Sequence, residues 1–263
     1  MSSLLLSFFT SLLSILFVIR YQHLHGAWSA DSDLSGPQKF HSMSVPRIGG
    51  LGIFVALLVT GVAAWLQSLS FHRDLLLLVL AALPAFVMGI TEDLTKRIGA
   101  GLRLLGTAIS AGIAGYLLNA WISRIGIAGV DRLLAIELVS ILFTCFAVAG
   151  LANAYNIIDG FNGLASMIAI IALLAISYVA FQVQDKMILY LAVVMVGAIA
   201  GFFIWNYPRG LIFLGDGGAY LIGFWVGVLT ILLVNRNPLV SPWFAILVNA
   251  YPIFETLFTI WRR

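Results

Sequence analysis

The sequence predicts an all-α protein, a polytopic bundle of membrane-spanning helices. Of its 263 residues, 62% are apolar and only 10% are charged, and the mean hydropathy is +1.06. A soluble domain averages about 45–50% apolar and about 25% charged residues. The composition therefore excludes a soluble globular protein, a disordered chain and a nucleic-acid-binding protein. The single cysteine, Cys145, excludes an internal disulfide framework.

Nine apolar runs are long enough to cross a bilayer, which takes about 20 residues per helix. We read the first run as a retained helix rather than a signal peptide, because no basic residue precedes it. No repeat or soluble module interrupts the series, so residues 1–263 are predicted to form a single membrane-embedded domain. In chain order the runs cover 3–20, 48–69, 74–91, 103–121, 134–152, 162–181, 187–205, 219–235 and 240–261.

The basic residues predict which way the helices face. Loops that follow odd-numbered runs, together with the C-terminus, carry nine Lys and Arg residues, whereas the even-numbered loops carry five. Cytoplasmic loops are enriched in Lys and Arg. The odd loops are therefore predicted to lie in the cytoplasm and the N-terminus outside.

Polar motifs occur in four of these odd loops. They are 46–50 in the first loop, 89–94 in the third, 153–163 in the fifth and 213–218 in the seventh. Because all four follow or precede membrane runs on the same face, a helical bundle would bring them to one cytosolic cleft. Arg47 in the first motif is a permanent cation suited to phosphate, although a helix entry with an arginine of the cytoplasmic face would look the same.

The residue types in these motifs are those of a magnesium and phosphate site. Glu92 and Asp93 are adjacent carboxylates, whose repulsion a divalent cation or a proton can relieve; a solvated helix cap is the alternative. Asn153 and Asn156 are three residues apart and share one face if the helix continues. Mg²⁺ prefers a few protein oxygens combined with substrate phosphates.

At this point the chain resembles the polyprenyl-phosphate N-acetylhexosamine-1-phosphate transferases. That family includes the bacterial enzymes that start O-antigen synthesis and the translocase that makes peptidoglycan lipid I. The UDP-N-acetylglucosamine branch is the more similar of the two. The resembling segments are VPRIGG at 45–50, GITEDL at 89–94, NAYNIIDGFNGLA at 153–165, FLGDGGAYLIG at 213–223 and PIFETLFTIWRR at 252–263.

The resemblance implies a reaction and a set of partners. A sugar-1-phosphate would move from a UDP-N-acetylhexosamine to undecaprenyl phosphate, with release of UMP, as the first membrane step of O-antigen or other cell-envelope polysaccharide synthesis. The protein would lie in the lipid bilayer of the bacterial inner membrane, with its active site facing the cytoplasm. A homodimer is compatible with the sequence, and no nucleic acid is expected as a partner.

The resemblance also implies roles for individual residues. Asp216 matches the ligand of Mg²⁺, for which Mn²⁺ is the alternative ion, and Asn153 and Asn156 match the amides near the metal and diphosphate. Glu92 and Asp93 match an acidic pair proposed to orient or deprotonate the lipid phosphate. Asp159 matches a further acid of the cleft. The remaining positions assigned to substrate binding are Arg47, Gly49, Gly50, Asn162 and Gly215.

Some positions depart from the family pattern. Glu92 stands where the family usually has an aspartate, Asn162 where it has a second acid, and Ala219 where it has a serine. The chain stops at Arg263, before the family's histidine-rich cytosolic loop and a further helix, which predicts a truncated product. An inactive remnant of the family is therefore one alternative. A transporter is the other, but its polar residues would be expected at mid-helix depth, not at one mouth of the bundle.

Overall fold

A computed structural model of the protein describes residues 2–31 and 45–262. Lys39 and Arg263, which contribute to the predicted charge asymmetry, lie outside these residues. The described elements, in chain order, are α1 (Ser2–Arg20), α2 (Gln22–Ser29), β1 (Ala30–Asp31), β2 (Val45–Pro46), α3 (Gly49–Leu66), α4 (His72–Thr95), α5 (Ala100–Leu118), α6 (Ala128–Leu134), α7 (Glu137–Ile158), α8 (Leu164–Gln182), α9 (Lys186–Asn206), α10 (Gly215–Arg236), α11 (Trp243–Val248) and α12 (Ala250–Arg262). The two strands form a short antiparallel pair.

Within the described ranges, eight helices are long and apolar enough to cross a membrane. They are α1, α3, α4, α5, α7, α8, α9 and α10, and they correspond to the first eight predicted runs. The predicted all-α, polytopic membrane fold is confirmed.

The ninth predicted run, over 240–261, is divided into α11 and α12, and neither helix is long enough to be among the eight. The break falls at Asn249, whose backbone torsions of φ −107° and ψ 18° leave the helical region. The Asn249 side chain accepts a hydrogen bond from the Tyr155 hydroxyl at 3.2 Å and donates to the Ala245 carbonyl at 3.0 Å. Pro252 then falls in the first turn of α12, where its missing N–H group needs no partner.

Helix α10 forms the centre of the bundle. Every residue from Gly215 to Val234 is buried, and the helix contacts α3, α4, α5, α7, α8 and α9. A helix that is apolar on all sides is expected at the core of a membrane bundle. This position places the first turn of α10, which carries Asp216, among the ends of its neighbours.

The end of the bundle that lies opposite Asp216 is joined by an ion pair between α9 and α10. Asp185, the N-cap of α9, accepts hydrogen bonds from Arg236 Nε at 2.7 Å, from Asn237 Nδ2 at 3.1 Å and from the Ile188 N–H at 3.2 Å. Burial raises the pKa of Asp185, but these three donors together outweigh it, so that the pKa lies below the usual 3.8.

We expect Asp185→Asn to lower the free energy of unfolding by about 1–2 kcal/mol at neutral pH, since Arg236 is half exposed and solvent screens the pair. A carboxylate with a lowered pKa stabilises the fold above its unfolded pKa, and this contribution is lost as the pH falls through the folded pKa. The difference in unfolding temperature between the variant and the wild type in detergent should therefore shrink once the pH is below about 3.8. A difference independent of pH would contradict this assignment.

Candidate active site

The four sequence motifs converge at one end of the bundle, as predicted. The β2–α3 junction, the end of α4, the start of α5, the end of α7 and the start of α10 each supply one side chain to a common group. We call this group the polar cluster, defined as Arg47, Asp93, Arg103, Asn156 and Asp216.

Asp216 is the centre of the polar cluster and is only 5% exposed. Its Oδ1 accepts a hydrogen bond from Asn156 Nδ2 at 2.9 Å and lies 3.7 Å from Arg47 Nη2. Its Oδ2 forms an ion pair with Arg103 Nη1. Because a buried carboxylate is costly unless it is paired and hydrogen-bonded, these three partners explain how the charge is tolerated.

Asp93 holds the start of α10 in place. Its Oδ1 accepts from the Asp216 N–H at 2.8 Å and its Oδ2 from the Gly217 N–H at 2.9 Å. A carboxylate that accepts two N–H groups at a helix N-terminus also interacts favourably with the helix dipole. Asp93 is 3% exposed, so both oxygens are committed to orienting the backbone that carries Asp216. Its implied role with the lipid phosphate stays a prediction.

We expect Asp93→Asn to lower the free energy of unfolding by about 1–3 kcal/mol, because two buried N–H groups lose their charged acceptor. The matched variant Glu92→Gln should have a smaller effect, since Glu92 is part-exposed and its Oε2 accepts a single N–H bond, from Ile98 at 2.5 Å. Thermal unfolding in detergent, followed by tryptophan fluorescence, measures both. Equal effects of the two variants would argue against the capping role.

Two of the predicted amides face α10 from α7. Asn156 contacts Asp216, and Asn153 Oδ1 accepts a hydrogen bond from the Tyr220 hydroxyl at 3.0 Å. Asp216 and Tyr220 are four residues apart on α10, and Asn153 and Asn156 are three apart on α7, so each pair lies on one face of its helix. The predicted common face of the two asparagines is therefore present.

The loop between α7 and α8 carries Asp159 and Asn162. Asn162 Nδ2 makes a long hydrogen bond of 3.4 Å to the Pro208 carbonyl, and the Gly163 N–H donates to Asn206 Oδ1 at 2.6 Å. These bonds tie the loop to the segment before α10. Burial raises the pKa of Asp159 well above 3.8, Asp93 adds to the rise, and Arg47 only partly opposes it. Asp159 therefore retains its proton to a higher pH than an exposed aspartate.

The predicted substrate-binding glycines make close backbone contacts. The N–H groups of Gly49 and Gly50 donate to the carbonyls of Phe213 and Leu214, each at 2.9 Å. Gly215 has φ +74°, and a Cβ there would lie 2.0 Å from the Arg47 carbonyl oxygen. These glycines bring α3 and α10 together, and their role in binding a substrate stays a prediction.

An apolar cavity of about 820 Å³ lies beside the polar cluster. Residues of α5, α7, α10, α11 and α12 line it, almost all of them apolar. Asn153 lines one part of the cavity, and Arg124 and Asn235 line another. Since Asn153 is one α-helical turn from Asn156, the cavity adjoins the polar cluster.

The oxygen atoms around Asp216 fit a hard divalent cation. The carboxylate of Asp216 and the amide oxygens of Asn153 and Asn156 are ligand types that Mg²⁺ accepts. Asp216 Oδ2 is buried, and its partner among the described residues is the Arg103 guanidinium. No group of three or more His, Cys, Asp or Glu side chains that could hold a metal occurs among residues 2–31 and 45–262. A single carboxylate suits a Mg²⁺ site that substrate phosphates complete.

Comparison with known proteins identifies the family. Residues 75–234 match the sequence model of Glycosyl transferase family 4. The chain belongs to glycosyl transferase family 4. The predicted family membership is therefore confirmed, and the match includes all of the polar cluster except Arg47.

Individual relatives of this family-4 glycosyl transferase align over most of its length. It is 27% identical over 266 residues to a protein of Bacillus subtilis named probable undecaprenyl-phosphate N-acetylglucosaminyl 1-phosphate transferase, covering 100% of this chain and 72% of the relative. It is 30% identical over 241 residues to a phospho-N-acetylmuramoyl-pentapeptide-transferase of Lactobacillus johnsonii, covering 86% of this chain and 72% of the relative. A Thermotoga maritima undecaprenyl-phosphate alpha-N-acetylglucosaminyl 1-phosphate transferase is 26% identical over 231 residues, covering 88% and 65% respectively.

Two side chains of this family-4 transferase, Arg103 and Tyr220, lie at the cluster although the sequence predicted no role for them in the site. Arg103, ten residues beyond the acidic pair's Asp93, was given no role in the site, although its position at the first turn of an apolar run was a usable signal. Tyr220 carried no signal, because a tyrosine within a membrane run is ordinary. The Arg103 guanidinium lies 5.8 Å from the centre of the Tyr220 ring, so the two residues are also neighbours.

Proposed function

We propose that this family-4 transferase moves an N-acetylhexosamine-1-phosphate from a UDP-sugar to undecaprenyl phosphate, releases UMP and uses Mg²⁺. The observation that carries the proposal is that the polar cluster lies next to an apolar cavity. A buried cluster of carboxylate, amide and guanidinium groups adjoins an apolar cavity within the membrane helices. A diphosphate would suit the first environment and an isoprenoid chain the second. The names of the relatives support the same pair of substrates.

The polar cluster would act on the diphosphate. Arg47 is 35% exposed at the mouth of the cluster, where its fixed charge can pair with phosphate oxygens. Asp216, Asn156 and Asn153 would hold the metal ion. A bound Mg²⁺ would neutralise charge that develops on the transferring phosphoryl group. Positioning and electrostatic stabilisation supply most of the catalysis in phosphoryl transfer.

No strong base is needed in this reaction. A phosphate monoester has a second pKa of about 6, so the lipid phosphate is mostly ionised at neutral pH. Its oxygen would attack the sugar-bearing phosphorus and UMP would leave in line. The hydrogen bonds that Asp93 accepts from the backbone support a positioning role for this acid, and leave Glu92 and Asp159 as the candidates for contact with the lipid phosphate.

The cavity would accommodate part of the isoprenoid chain. The cavity is lined almost entirely by apolar side chains, so an isoprenoid chain that enters it from the bilayer exchanges one apolar environment for another at little cost. The odd loops would face the cytoplasm of a bacterial inner membrane, where a UDP-sugar is available. The reaction would then be the first membrane step of an envelope polysaccharide such as O-antigen.

The full chain, purified in detergent, tests the proposal directly. With undecaprenyl phosphate, Mg²⁺ and UDP-N-acetylglucosamine or UDP-N-acetylgalactosamine, we expect UMP and a lipid-linked sugar diphosphate in equal amounts. EDTA should stop the reaction, and omission of the lipid should prevent UMP release. Release of UDP would indicate transfer of the sugar alone, and absence of any product with both sugars would favour an inactive member of the family.

A further inference from the structure

Arg103 is the basic residue in closest contact with Asp216. Its Nη1 forms an ion pair with Asp216 Oδ2, while its side chain is only 17% exposed. Its Nε is buried and makes no hydrogen bond. The guanidinium is therefore held by its ion pair with Asp216 and by its contact with the face of the Tyr220 ring. Such a contact can be exchanged for another cation at that position.

Both oxygens of Asp216 already have partners. Oδ1 accepts from Asn156 and faces Arg47, whereas Oδ2 contacts only Arg103 among the ion pairs and hydrogen bonds of the described residues. A divalent cation requires at least one carboxylate oxygen here, because the other candidate ligands are neutral amides. Because the Asn156 amide already donates to Oδ1, Oδ2 is the oxygen left for the ion, and Oδ2 is the atom that Arg103 contacts.

We propose that Arg103 is a tethered counter-cation, which neutralises Asp216 in the metal-free protein and which a divalent cation must displace. The inference rests on the metal site of the proposed function. The guanidinium lowers the cost of a buried, unpaired carboxylate, and it also opposes a second cation at the same carboxylate. A divalent ion alone binds weakly, because it must remain close to both Arg103 and Arg47.

Direct binding of Mn²⁺ tests the proposal without an activity measurement. Free Mn²⁺ is measured by electron paramagnetic resonance during titration of the full chain in detergent. We expect Arg103→Gln to bind Mn²⁺ at least about tenfold more tightly than the wild type, since one like charge within about 4 Å of the ion is removed. Arg103→Lys keeps the charge and should stay within about threefold of the wild type.

Two further variants serve as controls. Arg97→Gln removes an exposed charge six residues earlier, outside the polar cluster, and should leave the affinity for Mn²⁺ unchanged. Asp216→Asn should abolish binding. If Arg103→Gln binds Mn²⁺ no more tightly than the wild type while Asp216→Asn does not bind it, only the counter-cation role is overturned. Mn²⁺ binding that is unaffected by Asp216→Asn would instead overturn the metal site of the proposed function.

The wild type provides a test that does not depend on folding of a variant. Phenylglyoxal modifies accessible arginine side chains, and mass spectrometry locates the modified residues. We expect saturating Mn²⁺ to increase the rate of modification at Arg103 several-fold, because displacement from Asp216 exposes the guanidinium. Arg97 is the internal reference and should react at the same rate with and without the ion. An unchanged rate at Arg103 would overturn the proposal.

Discussion

Asp216→Asn should reduce UMP release from a UDP-N-acetylhexosamine by about 10²–10³-fold or more, which is the loss typical when one preorganised electrostatic group of an active site is removed. Asp216 is the only acid of the polar cluster whose carboxylate is free of backbone hydrogen bonds, since Asp93 caps the helix. Asparagine has the same shape but no charge, so it offers Mg²⁺ only a neutral amide oxygen and forms no ion pair with Arg103. Steady-state rates at saturating substrates measure the loss.

The matched control is Asp74→Asn. Asp74 lies in the first turn of α4, at the opposite end of the helix that carries Asp93. Its substitution removes the same charge far from the cluster and should leave the rate within about twofold, as expected for a change that makes no contact with the substrates. Size-exclusion profiles of both variants show whether the fold is retained. Full activity in folded Asp216→Asn would exclude this residue as the metal ligand.

The sequence predicted the convergence of the motifs because the physical constraint is strong. A membrane helix must cross the whole apolar layer, so alternate loops necessarily meet on one face. Asn153 and Asn156 were placed on a common face by helix periodicity alone, and the structure has both against α10. These inferences needed only the spacing of residues within one helix or the parity of a loop.

Contacts between different helices could not be predicted in the same way. The partner of Asp93 is the backbone of α10, 123 residues further along the chain. Asn249, where α11 ends, accepts a hydrogen bond from Tyr155 of α7, and hydropathy over 240–261 gives no indication of this contact. Arg103 looked like a basic residue at a membrane boundary, because only the folded bundle places it on Asp216.

The close approach of α3 to α10 provides the second prediction with a large expected effect. We expect Gly50→Ala to lower the free energy of unfolding by about 3 kcal/mol, the upper part of the range for overpacking. A Cβ at residue 50 would lie 2.2 Å from the nitrogen and 2.5 Å from the Cα of Gly218. These are backbone atoms in the buried first turns of the central helix, so neither side can move without displacing the turn that carries Asp216.

Gly112→Ala is the control for this prediction. Gly112 lies within α5, and a Cβ there would meet only the Cys145 sulfur, at 3.9 Å. Alanine favours a helix over glycine by up to about 1 kcal/mol, so this variant should be neutral or slightly stabilising. Thermal unfolding in detergent measures both substitutions. If Gly50→Ala unfolds at the same temperature as Gly112→Ala, the helices are not in backbone contact, and the geometry that holds Asp216 beside Arg47 must be different.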